Sequence, residues 1–165
     1  MTAAPLPESY WVVPGRLLAG EYPSARDEAA AREKLGRLRD AGVTVFLDLT
    51  EEDEAGLVPY GPLLDEGIRP ERHAIADLDR PPPEQMREIL DAIDAALERD
   101  EVVYLHCYGG LGRTGTVVGC YLVRHGRTGE EALAEIARLR SGLPDPAWPS
   151  PETDPQREMV LGWRG

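Results

Sequence analysis

Apolar positions along the chain follow two different periods. Val43–Leu49 (VTVFLDL) and Glu101–His106, with Val102, Val103, Tyr104 and Leu105 in succession, are short, nearly continuous apolar runs. Such runs predict strands covered on both faces. From Pro83 the period changes. Met86, Ile89, Leu90, Ile93 and Leu97 recur at spacings of three and four, which predicts a helix with Pro83 in its first turn. Thr114–Arg124 is apolar on most sides and predicts a buried helix. Thr128 caps a further helix that carries Ala132, Ile136 and Leu139 on one side. Toward the N-terminus, Tyr10–Gly20 predicts a hairpin about Pro14-Gly15. Ser24 is placed to cap a helix running to Asp40, with Gly42 closing it. Glu51–Gly67 reads as a loop with one helical turn, and His73–Ile75 as another short strand. A proline-rich loop from Pro144 to Pro155 leads to a short terminal helix. The alternation predicts an α/β fold, a central mainly parallel sheet flanked by helices.

The 165 residues suit one domain at about 150 residues each, spanning 1–165 with 1–9 as a flexible N-terminal tail. Thirty acidic against eighteen basic residues leave a net charge of −12, a field that repels nucleic acid and anionic membrane. No basic stretch followed by an apolar one opens the chain, and the longest uncharged apolar run, Thr114–Val123, is too short to span a bilayer. Neither nucleic acid binding nor membrane insertion is expected. Two cysteines and no secretory signal point to a reduced, cytoplasmic setting, in which thiol chemistry outweighs disulfide stapling.

The segment His106-Cys107-Tyr108-Gly109-Gly110-Leu111-Gly112-Arg113-Thr114-Gly115 joins the second apolar strand to the buried helix. Three glycines in four residues let successive N–H groups turn inward as an anion nest, and the helix adds its unpaired first amides. Arg113 at the far end can hold two oxygens of one phosphate. Tyr108, Gly109, Gly110, Leu111, Gly112 and Arg113 thus form a candidate phosphate-binding loop, with the Cys107 thiol at its base as candidate nucleophile. Two nucleotide motifs overlap it. Gly110-x-Gly112-x-x-Gly115 matches a dinucleotide fingerprint, but the acidic residue about 20 positions on, Glu135, falls in a helix. Gly110–Gly115 also has the spacing of an ATP-binding loop, but Thr116 stands where its lysine belongs. Neither motif accounts for Cys107.

His-Cys, five residues, Arg, then Thr resembles the signature of the cysteine-dependent protein phosphatases of the dual-specificity and tyrosine type. The Tyr-Gly-Gly-Leu-Gly filling is similar to that of the cyclin-dependent-kinase-associated subfamily. The resemblance extends through Ala74-Ile75-Ala76-Asp77 and implies an α/β phosphatase domain, a phosphoprotein substrate, and no cofactor or metal. It implies that Cys107 attacks phosphorus to form a phosphocysteine, that Arg113 binds the equatorial oxygens, and that Thr114 stabilises the departing sulfur. Thr114 can equally cap its helix, and His106 packs behind the loop to orient Cys107. Asp77, about thirty residues before Cys107, fits the general acid of the family, with Asp79 as the alternative acid. Ser150-Pro151-Glu152-Thr153-Asp154-Pro155-Gln156 resembles a glutamine loop. Gln156 there either positions the hydrolytic water or is an exposed residue at a helix start. Cys120 either packs in the core or forms a protective disulfide with Cys107. The loop lacks the lysines of phosphoinositide-directed relatives. Besides a phosphoprotein phosphatase, two readings stand: a catalytically weak phospho-binding module, and a phosphatase of a non-protein phosphate monoester.

Overall fold

The computed structural model describes residues 3–165. A hairpin opens it: β1 (Ser9–Val13) turns through Pro14-Gly15 and returns antiparallel as β2 (Leu17–Gly20). There follow α1 (Glu28–Asp40), β3 (Val45–Asp48), one 3-10 turn (Gly61–Leu63), β4 (Arg69–Arg72), α2 (Pro83–Glu98) and β5 (Val103–His106). Three helices end the chain, α3 (Gly112–Arg124), α4 (Gly129–Leu139) and α5 (Asp154–Gly162). The strand order is β1-β2-β5-β3-β4, and every pairing except β1 with β2 is parallel. The expected α/β architecture is therefore present, with β5 at the centre of the sheet.

Alternation along the strands divides the interior into two layers. Val103 and Leu105 of β5 pack with Leu17, Leu47, Met86, Ile89, Val117 and Ile136 beneath α2–α5. Tyr104 faces the other way, with Leu18, Phe46, Leu35 and Leu38 beneath α1. Among the described residues no helix is long and apolar enough to cross a membrane.

Several boundaries differ from expectation. Asp27, not Ser24, caps α1, accepting the Ala30 N–H at 3.1 Å. Lys34 of α1 reaches back to the carbonyl of Tyr22 (3.1 Å) and pairs with Glu21 (3.0 Å), which fixes the preceding segment as a loop. The strand expected at His73–Ile75 lies four residues earlier, because the charged sequence of β4 masks its extended backbone. The His73 and Ile75 amides still donate to Asp48 O (2.9 Å) and Leu49 O (3.0 Å). Of the expected N-terminal tail, residues 1 and 2 lie outside the described residues; Ala3, Ala4 and Pro7 are exposed, whereas Leu6 and Ser9 are buried. Leu6 is buried, its N–H donates to the Ser9 hydroxyl (3.1 Å), and that hydroxyl donates to Leu6 O (2.7 Å).

Helices α3 and α5 approach unusually closely at Gly119. A Cβ there would lie 2.5 Å from Cγ2 and 2.8 Å from Cγ1 of the fully buried Val160. Alanine would raise helix propensity by about 1 kcal/mol, but the overpacking costs about 1–3 kcal/mol. Gly119→Ala is expected to lower the melting temperature, and to become neutral or stabilising in a Val160→Ala background. Thermal unfolding of the four proteins checks this; an unchanged single variant would show that the two helices are not in this contact.

Candidate active site

Gly20, Asp48 and His106 lie side by side in the parallel register, so the loops after β2, β3 and β5 leave one carboxyl edge of the sheet. Ligand sites of parallel α/β sheets form on that edge. From β5 the chain enters the loop at the buried Cys107. Gly110 has φ 76°, and a Cβ on it would stand 2.6 Å from the carbonyl carbon of Gly20, so no other residue fits this turn. The loop is held from outside by the Tyr22 N–H on Tyr108 O (3.0 Å) and by the Ser150 hydroxyl on Leu111 O (2.7 Å). Helix α3 starts at Gly112, two residues earlier than Thr114. Its first-turn amides, without partners in the helix, end the loop as an anion-binding terminus. Thr114 therefore lies inside the first turn and does not cap it. Its hydroxyl is buried and has no hydrogen-bond partner in the protein.

Arg113 is 1% exposed, and a guanidinium so buried is tolerable only when paired. Glu54 supplies the pair end-on: Nη1 donates to Oε1 at 2.7 Å and Nη2 to Oε2 at 2.8 Å. Nη1 also donates to Ile75 O (2.8 Å). The Arg113 hydrogen bonds hold the Glu54 carboxyl below its usual range, against the opposing effect of burial. With the end of the fork committed, the side edge carrying Nε is turned elsewhere, and Nε has no partner in the protein. Asp77 stands near this edge, its Oδ1 3.3 Å from Nη2, and its side chain is 60% exposed. The Asp79 carboxylate instead accepts the Arg80 N–H at 2.8 Å, in its own turn. The structure thus brings Cys107, Arg113, Thr114 and Asp77 to one edge of the sheet. Glu54 joins them, a residue that the sequence reading left inside a loop.

Behind the loop, His106 is fully buried among Tyr22, Tyr60 and Tyr104. Its Nε2 lies 2.6 Å from the Tyr60 hydroxyl and its Nδ1 3.3 Å from Cys107 O. If Tyr60 donates, Nδ1 carries the proton and ties the Cys107 carbonyl, so both contacts are satisfied by one neutral tautomer. Asp48 holds the neighbouring strand end, accepting the Thr50 N–H (2.8 Å) and pairing with Arg72 (3.1 Å). Tyr60, Asp48 and Arg72 have no sequence spacing that marks them.

Tyr108 is half exposed and lines, with Ser24, Arg26, Lys34 and Val58, a cavity of about 210 Å³ beside the loop. Gln156 is fully buried, not exposed: its Oε1 accepts the N–H groups of Glu152 and Thr153, both at 3.1 Å, and its Nε2 donates to Asp79 O at 2.9 Å. Cys120 packs in the core, its thiol pushed up to about 12 by burial; both cysteines are free, so the disulfide alternative is not formed. Glu135 pairs with Arg138 on α4 (2.6 Å), and Thr116 donates to Gly112 O (2.7 Å), which leaves both nucleotide motifs without their key groups.

A family model described as "Polymorphic toxin system, DSP-PTPase phosphatase" matches residues 21–127, the span that holds Glu54, Asp77, Cys107 and Arg113. The chain belongs to this DSP-PTPase phosphatase family. It is 34% identical over 119 residues to a protein of Invertebrate iridescent virus 3 named as a tyrosine phosphatase, covering 70% of this chain and 45% of that one. It is 31% identical over 147 residues to the dual specificity protein phosphatase CDC14AB of Danio rerio, covering 80% of this chain and 22% of that one. The chain thus spans less than half the length of these curated relatives. Among solved structures, Tk-PTP superposes with a TM-score of 0.72 at 29% identity, over 94% of both chains. The kinase associated phosphatase shares the fold, with a TM-score of 0.73 at 22% identity over 93% of this chain and 90% of that one.

In this member of the family, burial disfavours the charged form of His106 and pulls it down from 6.5 to about 4. The unfolded chain then binds a proton that the folded one refuses, so stability rises with pH between those two values. From pH 6.5 down to about pH 5, above the main carboxylate range, the expected loss is about 2 kcal/mol. Urea unfolding across that window checks it; a flat profile would contradict a neutral buried His106.

Proposed function

We propose that the protein hydrolyses phosphotyrosine in phosphoproteins, with phosphoserine and phosphothreonine as further substrates, through a phosphocysteine intermediate. One observation carries this reading: Arg113 is locked by Glu54 with its free edge beside Asp77, at the end of a loop that begins with Cys107. The Cys107 thiolate attacks phosphorus in line, and the bond from phosphorus to the leaving oxygen breaks. That oxygen takes the proton of the Asp77 carboxyl. The side edge of Arg113 and the first amides of α3 bind the equatorial oxygens, and hold them more strongly as charge spreads in the transition state. Water then attacks the phosphocysteine, Asp77 receives its proton, and the Thr114 hydroxyl donates to the departing sulfur. The products are inorganic phosphate and the free thiolate.

Asp77 is favoured over Asp79 because only its carboxylate approaches Arg113. The cavity beside Tyr108 gives room for a residue flanking the phosphorylated one, which supports a protein substrate over a small phosphate monoester. The presence of nucleophile, arginine and acid together supports turnover over phospho-binding alone. The cytoplasm is the proposed setting, where both thiols stay reduced.

Turnover of a phosphotyrosine peptide without added metal tests the function directly. Cys107→Ser is expected to abolish it while tungstate still binds, because the amides and Arg113 remain. Activity like the wild type in that variant would exclude Cys107 as nucleophile.

Asp77→Asn is expected to cut kcat by about 10²–10⁴ on phenyl phosphate, the usual worth of a general acid, and far less on a dinitrophenyl ester whose anion leaves unaided. Asp79→Asn should leave both rates close to wild type. The reverse pattern would move the acid to Asp79.

A further inference from the structure

The loop that carries Asp77 is tied to the body of the protein through three of its carbonyls. Gln85 Nε2 donates to Ala74 O (2.9 Å), Arg113 Nη1 to Ile75 O (2.8 Å) and Gln156 Nε2 to Asp79 O (2.9 Å). The first two hold the start of the loop, before the acid. The third holds it after the acid. Between them Leu78 adopts φ 66° and is 54% exposed, so a bulky residue occupies the left-handed region without being buried in return. The turn closes on itself by the Asp79 N–H to Ala76 O (3.0 Å), by the Leu78 N–H to the Asp77 carboxylate (2.9 Å) and by the Arg80 N–H to the Asp79 carboxylate (2.8 Å). The second of these weakens when that carboxylate is protonated, the state a general acid needs. Beyond the acid, the bond from Gln156 ties the turn to the rest of the protein and does not depend on that protonation.

The orientation of Gln156 leaves no choice about that bond. Its oxygen accepts two backbone N–H groups, so its nitrogen must face the carbonyl of Asp79. A capping box with Thr153 fixes its backbone at the start of α5, and the amide lies against the phosphate loop. A Cβ on Gly112 would stand 3.0 Å from its Oε1 and 3.1 Å from its Nε2. One buried amide thus touches the acid loop, the start of α3 and the cap of α5.

We propose that Gln156 is a positioning residue for the general acid: it holds the strained turn at 77–79 so that the Asp77 carboxyl stays beside Arg113. This rests on the reading of Asp77 as the acid. It differs from the role the resemblance implied, in which the glutamine orients the hydrolytic water of the second step.

The positioning role acts through Asp77 and reaches the first step, whereas the water-orienting role touches the second step alone, which makes them separable. Gln156→Glu keeps size and turns an oxygen toward Asp79 O, and Gln156→Met removes the donor without adding charge; thermal unfolding confirms that each variant is folded. With phenyl phosphate, whose leaving group needs the proton, each is expected to lose about 10–100-fold in kcat/KM, the scale on which small misplacements act. With dinitrophenyl phosphate the loss in kcat/KM should stay within about threefold, because kcat/KM reports the first step and that leaving group needs no proton. In an Asp77→Asn background the same substitutions should change the phenyl phosphate rate less than about twofold, since the group they position is gone. A phenyl phosphate kcat/KM close to wild type with phosphocysteine accumulating in rapid-quench analysis, or a loss independent of both leaving group and Asp77, would overturn the proposal in favour of the water-orienting role. If Asp77→Asn alone shows no leaving-group dependence, the acid assignment falls, and the proposal falls with it for that separate reason.

Discussion

The buried pair of Arg113 and Glu54 is the constraint around which the site is arranged. Removing a guanidinium from water costs several kcal/mol, and only a well-formed carboxylate pair with further acceptors offsets it. Glu54 comes from the loop after β3, the Ile75 carbonyl from the segment after β4, and Arg113 from the helix after β5. One side chain therefore gathers the loops of three parallel strands. Because Glu54 takes the end of the fork, Nε is left without a protein partner, and the loop of Asp77 is drawn to the guanidinium through Ile75. Cys107, Arg113 and Asp77 are brought together by a single electrostatic debt that has to be settled locally.

Two structural features let the C-terminal segment reach this centre. Gly112, Gly115 and Gly119 lie along α3 where it meets the segment from Ser150 to Val160. A Cβ at Gly115 would stand 2.3 Å from the Ser150 hydroxyl oxygen, and one at Gly112 would stand 2.9 Å from a Glu152 carboxylate oxygen. The stripe of missing side chains admits α5 to the base of the phosphate loop. The other feature is the Thr153–Gln156 capping box, which turns the first residues of α5 inward and stations the Gln156 amide between two loops. Packing and capping, both local in origin, thus place a residue 49 positions after Cys107 against the site.

What the sequence made legible follows the range of the interactions concerned. The loop from Cys107 to Arg113 could be read because its strand end, glycines, thiol and guanidinium are contiguous, and the cap at Thr128 is single-residue chemistry. Glu54 could not, since its meaning lies in a partner 59 residues away. The usable signal was topological: an acid just after β3 lies on the carboxyl edge once β3 is known to neighbour β5. Strand β4 was misplaced because Arg69, Glu71 and Arg72 hide an edge strand, where charge is how a sheet protects its rim from further pairing. At Ser24 the helical pattern ran too far because tertiary bonds from Lys34 hold the preceding backbone open.

The net charge of −12 poses a last question, since a protein of that sign is proposed to bind a dianion. Beyond a Debye length, about 8 Å at physiological ionic strength, the repulsive field is screened. Within it, the interactions that count are few, close and poorly solvated. In the proposed binding mode the first amides of α3 and the edge of Arg113 act at hydrogen-bond distance from a buried position, where each is worth more than an exposed charge. The general field therefore opposes approach weakly, while the cradle attracts strongly only a group that fits its depth and geometry. A surface rich in carboxylates also discourages loose association with other polyanions. Selectivity for a phosphate ester that can enter the loop then rests on the cradle and not on the sign of the whole molecule.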